Sequence, residues 1–592
     1  MRHGIGFDRF PLLPLGLAPR YCRATRAQLN RREVGLAFPG SSFPAGLCGP
    51  LRSSPAQGNG SGWPNRFVAL PSGVLEFCWR RPSGAYHLVG VETSGPVVEG
   101  MTFSDLFSHL TASDPGEIRR DGPDTATNRL EWNMTGWSVS RRALVLSISL
   151  LLVVSCTSEK RAQRHGEGAS GLNVVSAPIS VRDTHFVDAQ GRQVLLHGVS
   201  VGSKDPERGY LGPETREDFA RFRAWGFNCI RFMIFWDGVE PEPGAFDDAY
   251  LDSVATRVRW AHQTGLYVLL DMHQDLYSVR FADGAPEWAT ITDGKPNLNP
   301  GAVWSDAYFT SPAVQTALDH FWANSPAPDG VGLQDHYARA WRHVAQRFAD
   351  EPAVVGYDLM NEPFPGSEAR EAQQGLFAAG QKIFAAQAGE QFGPGGDLMQ
   401  WWLTPEGRSR ILALLCNADL YGRLVDAVYP IYRRFEVAKL QPFYEKVAQA
   451  IRQVDSTHIL FLEPSMASNM GTYSSLEPLK DAAGRRDPLQ AYAPHGYDLV
   501  TDTPDVTRPC DERVRLIFER HAETARRLGM PMFVGEWGAY GFHAGAEEAA
   551  WKVVHVFEQL RCSETYWAYE KNLEQTSYFP ALWRPFPERV PG

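Results

Sequence analysis

The chain has no basic tract, no Cys/His spacing of the metal-binding kind and no apolar run long enough to cross a bilayer comfortably. Each absence closes off a class. With no clustered Lys or Arg and a formal net charge of −10, the composition argues against a nucleic-acid partner. Eight cysteines in 592 residues are too few and too scattered for a disulfide scaffold. Cys510 and Cys562 could pair in an oxidising compartment. What is abundant is apolar and aromatic. Hydrophobic residues make up 43% of the chain, ample for a large core, and the length suggests more than one domain. Most of the 17 Trp and 20 Tyr read as core packing, although sugar-binding clefts also use aromatic faces.

Residues 1–133 show no sustained helical or strand period. They are rich in Gly, Pro and Arg, contain no lysine, and read as a disordered extension. Met134 follows, then the basic pair Arg141-Arg142, then the small and apolar stretch Ala143–Val154, closed by Ser155-Cys156. A basic head, a short apolar centre and a small residue before a break are the parts of a signal peptide. Cysteine after Val153-Val154-Ser155 resembles a bacterial lipoprotein box, which makes Cys156 the expected lipidated terminus. A simple cleaved signal or a signal anchor is the other reading. A signal peptide works at the start of a protein. Met134 is therefore expected to be the initiator and residues 1–133 a mis-called upstream extension. The boundaries that follow are 134–156 for the signal, 157–177 for a flexible polar tether, and 178–592 for the catalytic domain. The protein is expected to be exported, either secreted or anchored at the bacterial cell envelope, where anchor and substrate would bring it to a membrane.

Two glutamates stand out, each placed after a short apolar run. Glu362 follows Val354–Asn361, and Glu536 follows Met532–Gly535. Runs of β-branched and large apolar residues bounded by turn residues read as fully buried strands. Six further runs of this kind are Gln193–Gly198, Cys229–Met233, Tyr267–Asp271, Ile459–Leu462, Gln490–Ala493 and Thr565–Trp567. Stretches such as Thr215–Trp225, Ala249–Thr264 and Asp511–Leu528 carry apolar residues at helical spacing between them. Eight strands alternating with helices predict an α/β fold, a (β/α)8 TIM barrel. Six of the eight runs end in polar groups: Arg231, Asp271 to Asp275, Asn361-Glu362, Glu463, His495 and Glu536. The C-terminal ends of barrel strands form the active-site pole. Two carboxylates presented there are the minimum equipment for cleaving a glycosidic bond, and that chemistry implies no metal and no organic cofactor.

These residues resemble glycoside hydrolases of family five, in the cellulase-like clan of (β/α)8 retaining enzymes. Asn361-Glu362-Pro363 is similar to that family's acid/base motif, and Glu536-Trp537-Gly538 to its nucleophile motif. Longer strings resemble the endoglycoceramidase branch. They are His197–Lys204, Trp236–Pro241, Asp271–Ser278, Gly284–Ala289 and Tyr357–Pro363. The resemblance covers roughly residues 180 to 592. It implies a retaining endo-β-glycosidase that cuts the bond between oligosaccharide and ceramide in glycosphingolipids. In it Glu536 would be the nucleophile and Glu362 the acid/base. Asn361 would bind the sugar 2-hydroxyl, and Tyr497 would orient Glu536. His273 and Arg231 would complete the hydrogen-bonded floor, and His495, after the sixth strand, would be a further substrate-binding residue. Lys204 and Asp275 would bind sugar hydroxyls, and Trp567 would be the sugar-stacking platform. The same resemblance allows a family-five β-glycosidase acting on another glucoside, galactoside or oligosaccharide. A carbohydrate-binding pseudoenzyme is the third reading, opposed by the two intact glutamates.

Two departures from the branch are evident. The chain between Pro363 and Ile459 is long, and 366–445 reads as a helical insertion beside Glu362. It is expected to be either a packed excursion of the outer layer or a lid over the lipid portion of the substrate. The sequence stops after Arg584–Gly592, so the branch's C-terminal β-sandwich is expected to be either missing from the enzyme or cut off by truncation.

Overall fold

The computed structural model describes residues 66–69, 74–80, 86–92 and 178–590, except 300–303, 389–397 and 502. The expected signal peptide, Cys156 and the expected tether lie outside the described residues. The chain divides into two units, Met1–Gly136 and Trp137–Gly592. In the first, Arg66–Ala69, Val74–Arg80 and Tyr86–Glu92 form a three-stranded antiparallel sheet. No strand period was expected there. The overlooked signal is the Pro-Ser-Gly triplet that recurs between the strands, at 71–73 and 82–84.

In the second unit eight parallel strands make up the barrel. They are β1 His197–Val201, β2 Cys229–Phe235, β3 Tyr267–His273, β4 Val354–Asp358, β5 Ile459–Leu462, β6 Gln490–Tyr492, β7 Phe533–Gly538 and β8 Ser563–Trp567. Ladders join them in the order β6-β5-β4-β3-β2-β1-β8-β7. The remaining seam, between β6 and β7, closes through a parallel bridge from Tyr492 to Met532. This is the expected (β/α)8 architecture. Two-sided burial explains why the strands read as unbroken apolar runs, since helices cover the outside and side chains fill the inside. The helix Asp248–Thr264 illustrates the local rules. Asp247 caps the N–H of Tyr250, and Gly265, at φ 79°, supplies the left-handed stop. Where strands approach closely, side chains are excluded. A Cβ on Gly356 of β4 would fall 2.1 Å from the Ile459 carbonyl oxygen.

The first barrel strand lies later than expected. Gln193-Val194 belongs instead to a small antiparallel sheet with Ser180–Arg182, His185–Val187 and Arg589–Val590. Phe186 of that sheet joins the inner cluster of Leu269, Val355, Ile459 and Phe533, and its ring stacks on Phe461 at 5.8 Å. Val187 pairs antiparallel with Gln193 there, a hairpin that leads into β1.

Between β4 and β5 the insertion is helical, as expected. It comprises Ala369–Ala388, Leu398–Leu403, Pro405–Leu414, Ala418–Asp426 and Tyr429–Phe435, then a π-helical turn at Glu436–Leu440. The helix Gln441–Arg452 already belongs to the barrel's outer layer, where Lys446 pairs with Asp335 of Leu333–Phe348 at 2.6 Å. The insertion is fastened to the chain that leaves β6. Arg408 pairs with Asp505 at 2.5 Å, and Arg513 donates to the Leu412 carbonyl at 2.8 Å. A disulfide joins Cys416 to Cys510. Among the described residues, no helix is long and apolar enough to cross a membrane.

That disulfide takes the place of the Cys510–Cys562 pairing that the sequence left open. Cys562 is free and buried immediately before β8. Cys510 sits at the start of the helix Asp511–Leu528, on the opposite pole of the barrel. The partner comes from the insertion, 94 residues away in sequence. Replacing Cys416 with Ser should lower unfolding stability by about 2–4 kcal/mol in denaturant titrations under oxidising conditions. Non-reducing peptide maps should link Cys416 to Cys510 and leave Cys229 and Cys562 free.

Candidate active site

The C-terminal ends of the strands converge on Arg231, which projects from β2 and is fully buried. Its Nε donates to Asp358 at 3.0 Å and its Nη1 to Glu536 at 2.7 Å. Its Nη2 donates to Asn361 at 2.9 Å and Glu463 at 2.8 Å, and lies 3.1 Å from Asp271. Strands β2, β3, β4, β5 and β7 thus meet at one guanidinium. Its planar set of donors can serve several acceptors at once. Burial works against the charged guanidinium, but the surrounding carboxylates raise its pKa well above the usual value. Burial also drives the Asp358 carboxyl well above the carboxylate range, with Glu463 adding to the push.

His495, just after β6, links the two glutamates of interest. Its Nδ1 lies 2.9 Å from Glu362 Oε1 and 3.5 Å from Glu536 Oε2, and its Nε2 lies 3.1 Å from Glu463. Burial favours the neutral ring, yet the carboxylates of Glu463 and Glu536 push its pKa well above the usual imidazole value. Both ring nitrogens then carry protons, and both face carboxylates. A Cβ on Gly535 would lie 2.8 Å from His495 Nε2, so glycine there makes room for the ring.

The two glutamates occupy different environments. Glu536 accepts from Arg231 and, at 2.8 Å, from the Tyr497 hydroxyl. Glu362 accepts from Asn469 Nδ2 at 2.7 Å beside His495. Burial raises the Glu362 pKa, and the hydrogen bond from His495 offsets part of that rise. Glu362 also has φ +44°, a left-handed conformation rare for a side chain of this size. It is held from three sides. Its N–H donates to Glu463 Oε2 at 2.7 Å, its carbonyl accepts from Gln274 Nε2 at 3.2 Å, and Asn361 donates through its N–H to the Met272 carbonyl at 3.1 Å. Strain at such a residue persists only where its surroundings over-determine it, and such residues cluster at functional sites.

A second group lies beside this one. His273 of β3 stacks on Trp567 of β8 with ring centroids 5.1 Å apart, and its Nδ1 lies 2.8 Å from Asp271. Lys204 forms an ion pair with Asp275, and its Nζ sits 4.7 Å above the Trp567 ring. Burial opposes the Asp275 charge, but Lys204 brings its pKa down to about 2. Burial and the Asp275 charge push Asp283 up to about 7. All ten residues expected at the site on the barrel are therefore brought into one connected network. Clusters with metal-ligand proximity exist here, but the protein's own cations fill two of them. Arg231 sits among Asp271, Asp358 and Glu463, and Lys204 pairs with Asp275 in the His273–Asp275–Asp283 group.

The sequence reading missed Gln274, Asp283, Asn469 and the linking role of Glu463. Gln274, Asp283 and Glu463 had local signals, being within or beside strand-end strings already singled out. Asn469 had none, since it reaches the site from the 3-10 turn Met466–Met470 after β5.

A family model for Cellulase (glycosyl hydrolase family 5) matches residues 187–573. The chain belongs to glycosyl hydrolase family 5. It is 32% identical over 210 residues to the endoglycoceramidase of Hydra vulgaris, covering 31% of this chain and 40% of that one. It is 36% identical over 192 residues to endoglycoceramidase I of Rhodococcus hoagii (strain 103S), covering 31% and 36%. It is 30% identical over 256 residues to a glucosylceramidase of Rhizopus delemar, covering 33% and 37%. The matches thus span about two fifths of the length of these relatives. Among solved structures, endo-glycoceramidase II from Rhodococcus sp. in its ganglioside GM3 complex is similar with a TM-score of 0.53 and 29% identity. That match covers 69% of this chain and 83% of the other. Family membership fits the barrel and the strand-end glutamates.

Removing the central guanidinium would leave several carboxylates buried together without their cation. Arg231→Met should therefore lower unfolding stability by about 3–5 kcal/mol, read from denaturant titration. Arg231→Lys should recover only part of that loss, because a single ammonium cannot reproduce the planar set of donors.

Proposed function

We propose that this protein is a retaining endo-β-glycosidase acting on glycosphingolipids, with Glu536 as nucleophile and Glu362 as acid/base. The observation that carries the reading is the separation of these two carboxylates combined with their unlike surroundings. One oxygen of each lies within 4.8 Å of the other. Such a spacing suits direct attack on the anomeric carbon, whereas inverting enzymes keep their carboxyl groups about 6.5–9.5 Å apart to admit a water between.

In the first step Glu536 attacks the anomeric carbon while Glu362 gives its proton to the departing oxygen. In the second, Glu362 takes a proton from water, which displaces the sugar from Glu536. Burial supports this division of labour by keeping Glu362 protonated to higher pH than an exposed glutamate. Glu536, between Arg231 and the Tyr497 hydroxyl, is oriented for attack. Asn361 is positioned for the sugar 2-hydroxyl. Lys204, Asp275, His273 and Trp567 form the face that receives the sugar, with Trp567 as the stacking platform.

Ceramide as the leaving group rests on the relatives named for cleaving such lipids and on the neighbour solved with ganglioside GM3. The glucosylceramidase relative favours a second reading, in which a single glucose is removed from ceramide. Export, with lipid attachment at Cys156, completes the proposal. The Cys416–Cys510 disulfide supports it, because such bonds persist in oxidising compartments.

The test is product analysis on labelled ganglioside, lactosylceramide, glucosylceramide and cello-oligosaccharide. Release of intact glycan and ceramide is expected, and Glu536→Gln should abolish it. Cleavage of glucosylceramide alone would favour the second reading, and cleavage of cello-oligosaccharide alone would overturn both. Glu362→Gln should lower kcat/KM on glycolipid by about 10²–10⁴-fold and lose less on an activated aryl glycoside. In the wild type, kcat/KM should fall as pH rises through the raised Glu362 pKa, because the acid then lacks its proton. Glu362→Gln should remove that alkaline limb.

A further inference from the structure

Glu436 is a fully buried carboxylate that the steps above do not use. It opens the π-helical turn that ends the insertion. Its Oε1 accepts from the N–H and the hydroxyl of Ser465, each at 2.9 Å. Its Oε2 accepts from the Ser474 hydroxyl at 3.1 Å and from the Ser475 N–H. These four donors are all neutral, although a buried carboxylate is ordinarily matched by a cation. Burial raises its pKa, and the Ser475 and Ser465 donors work against that rise.

The donors share a position in the chain, bracketing the turn Met466–Met470 after β5. A second bond ties the same turn to the acid segment, from the Met466 N–H to the Pro363 carbonyl at 3.0 Å. The turn presents Asn469, which reaches both glutamates. Its Nδ2 donates to Glu362 Oε1 at 2.7 Å. Its carbonyl accepts from the Tyr497 N–H at 3.0 Å, and the Tyr497 hydroxyl donates to Glu536.

We propose that Asn469 is a positioning residue for both carboxylates and that Glu436, from within the insertion, holds it in place. The proposal rests on the reading of Glu362 as the acid. An amide N–H aimed at a carboxylate favours its ionised form, so Asn469 sets how readily Glu362 gives up its proton. The other groups facing Glu362 are His495 on its carboxylate and Glu463 on its N–H. Glu536, Asp275 and Tyr308 act on it through space. Tyr444 and Tyr492 lie within electrostatic reach of Glu436.

The experiment is the pH dependence of kcat/KM on a soluble aryl β-lactoside with an unactivated leaving group. Asn469→Ala and the nearly isosteric Asn469→Leu should each move the alkaline limb upward by about one pH unit, because both remove the donor without adding a charge. A purely structural role would be preserved by Leu, with the limb left in place. Glu436→Gln should move the limb in the same direction and add nothing to Asn469→Ala. If Glu436→Gln does not fold, Ser465→Ala removes one of the four donors and should give a smaller shift of the same sign. A wild-type limb in Asn469→Leu would overturn the proposal. So would a Glu436→Gln or Ser465→Ala shift that is undiminished in the Asn469→Ala background. Absence of wild-type cleavage, or an alkaline limb that survives Glu362→Gln, would instead remove the assignment of Glu362 and the proposal with it.

Discussion

Arg231 and its carboxylates are the constraint around which the barrel and the site are both arranged. A guanidinium taken from water loses several kcal/mol of solvation, and each carboxylate around it loses as much. Only close geometry offsets this, and here every partner comes from a different strand or strand exit. Asp271 lies in β3, Asp358 ends β4, Glu463 follows β5 and Glu536 lies in β7. The network therefore fixes the relative heights of these strands. It also spans the weakest part of the barrel. At the β6–β7 seam, the bridge from Tyr492 to Met532 is supplemented by bonds from Gly535 N–H to the Pro494 carbonyl and from Gly496 N–H to the Glu536 carbonyl. The backbone of Glu536 closes the fold while its side chain joins the charge cluster.

The same cluster explains how two glutamates so close together come to differ. Burial raises the Glu362 pKa, and the two side chains have unlike neighbours. Glu536 bonds to a permanent cation and a phenol. Glu362 bonds to an amide and an imidazole, on a strained backbone whose N–H and carbonyl are both claimed by side chains. The backbone at φ +44° sets the direction in which the Glu362 side chain leaves the chain.

The sequence was legible where structure follows from consecutive residues. The strands could be read because two-sided burial leaves unbroken apolar runs, and the motif glutamates because they stand at strand ends. Arg231 was visible as a polar strand end and as part of the expected floor, but its central place was not, because its partners lie 40 to 305 residues away. The Cys510 partner was left open because pairing depends on which pole each cysteine occupies, and the insertion that carries Cys416 has no register with the barrel. Asn469 was invisible for a related reason. A polar residue in a 3-10 turn has no periodicity, and only the folded β5 exit brings it to Glu362.

The insertion is the part of the chain whose consequences reach furthest from its own sequence. It begins just after Glu362-Pro363 and ends at Glu436. Along its length it is fastened to the exits of β5 and β6, through Glu436 to Ser465, Ser474 and Ser475, and through Cys416 and Arg408 to Cys510 and Asp505. Those two exits carry Asn469 and Tyr497, one on each glutamate. A segment held only at its hinges can swing without disturbing the residues beneath it. One tied to the exits of both neighbouring strands transmits its position to them. Changes in this excursion should therefore register first in how the two carboxylates are oriented, rather than in whether a substrate can enter.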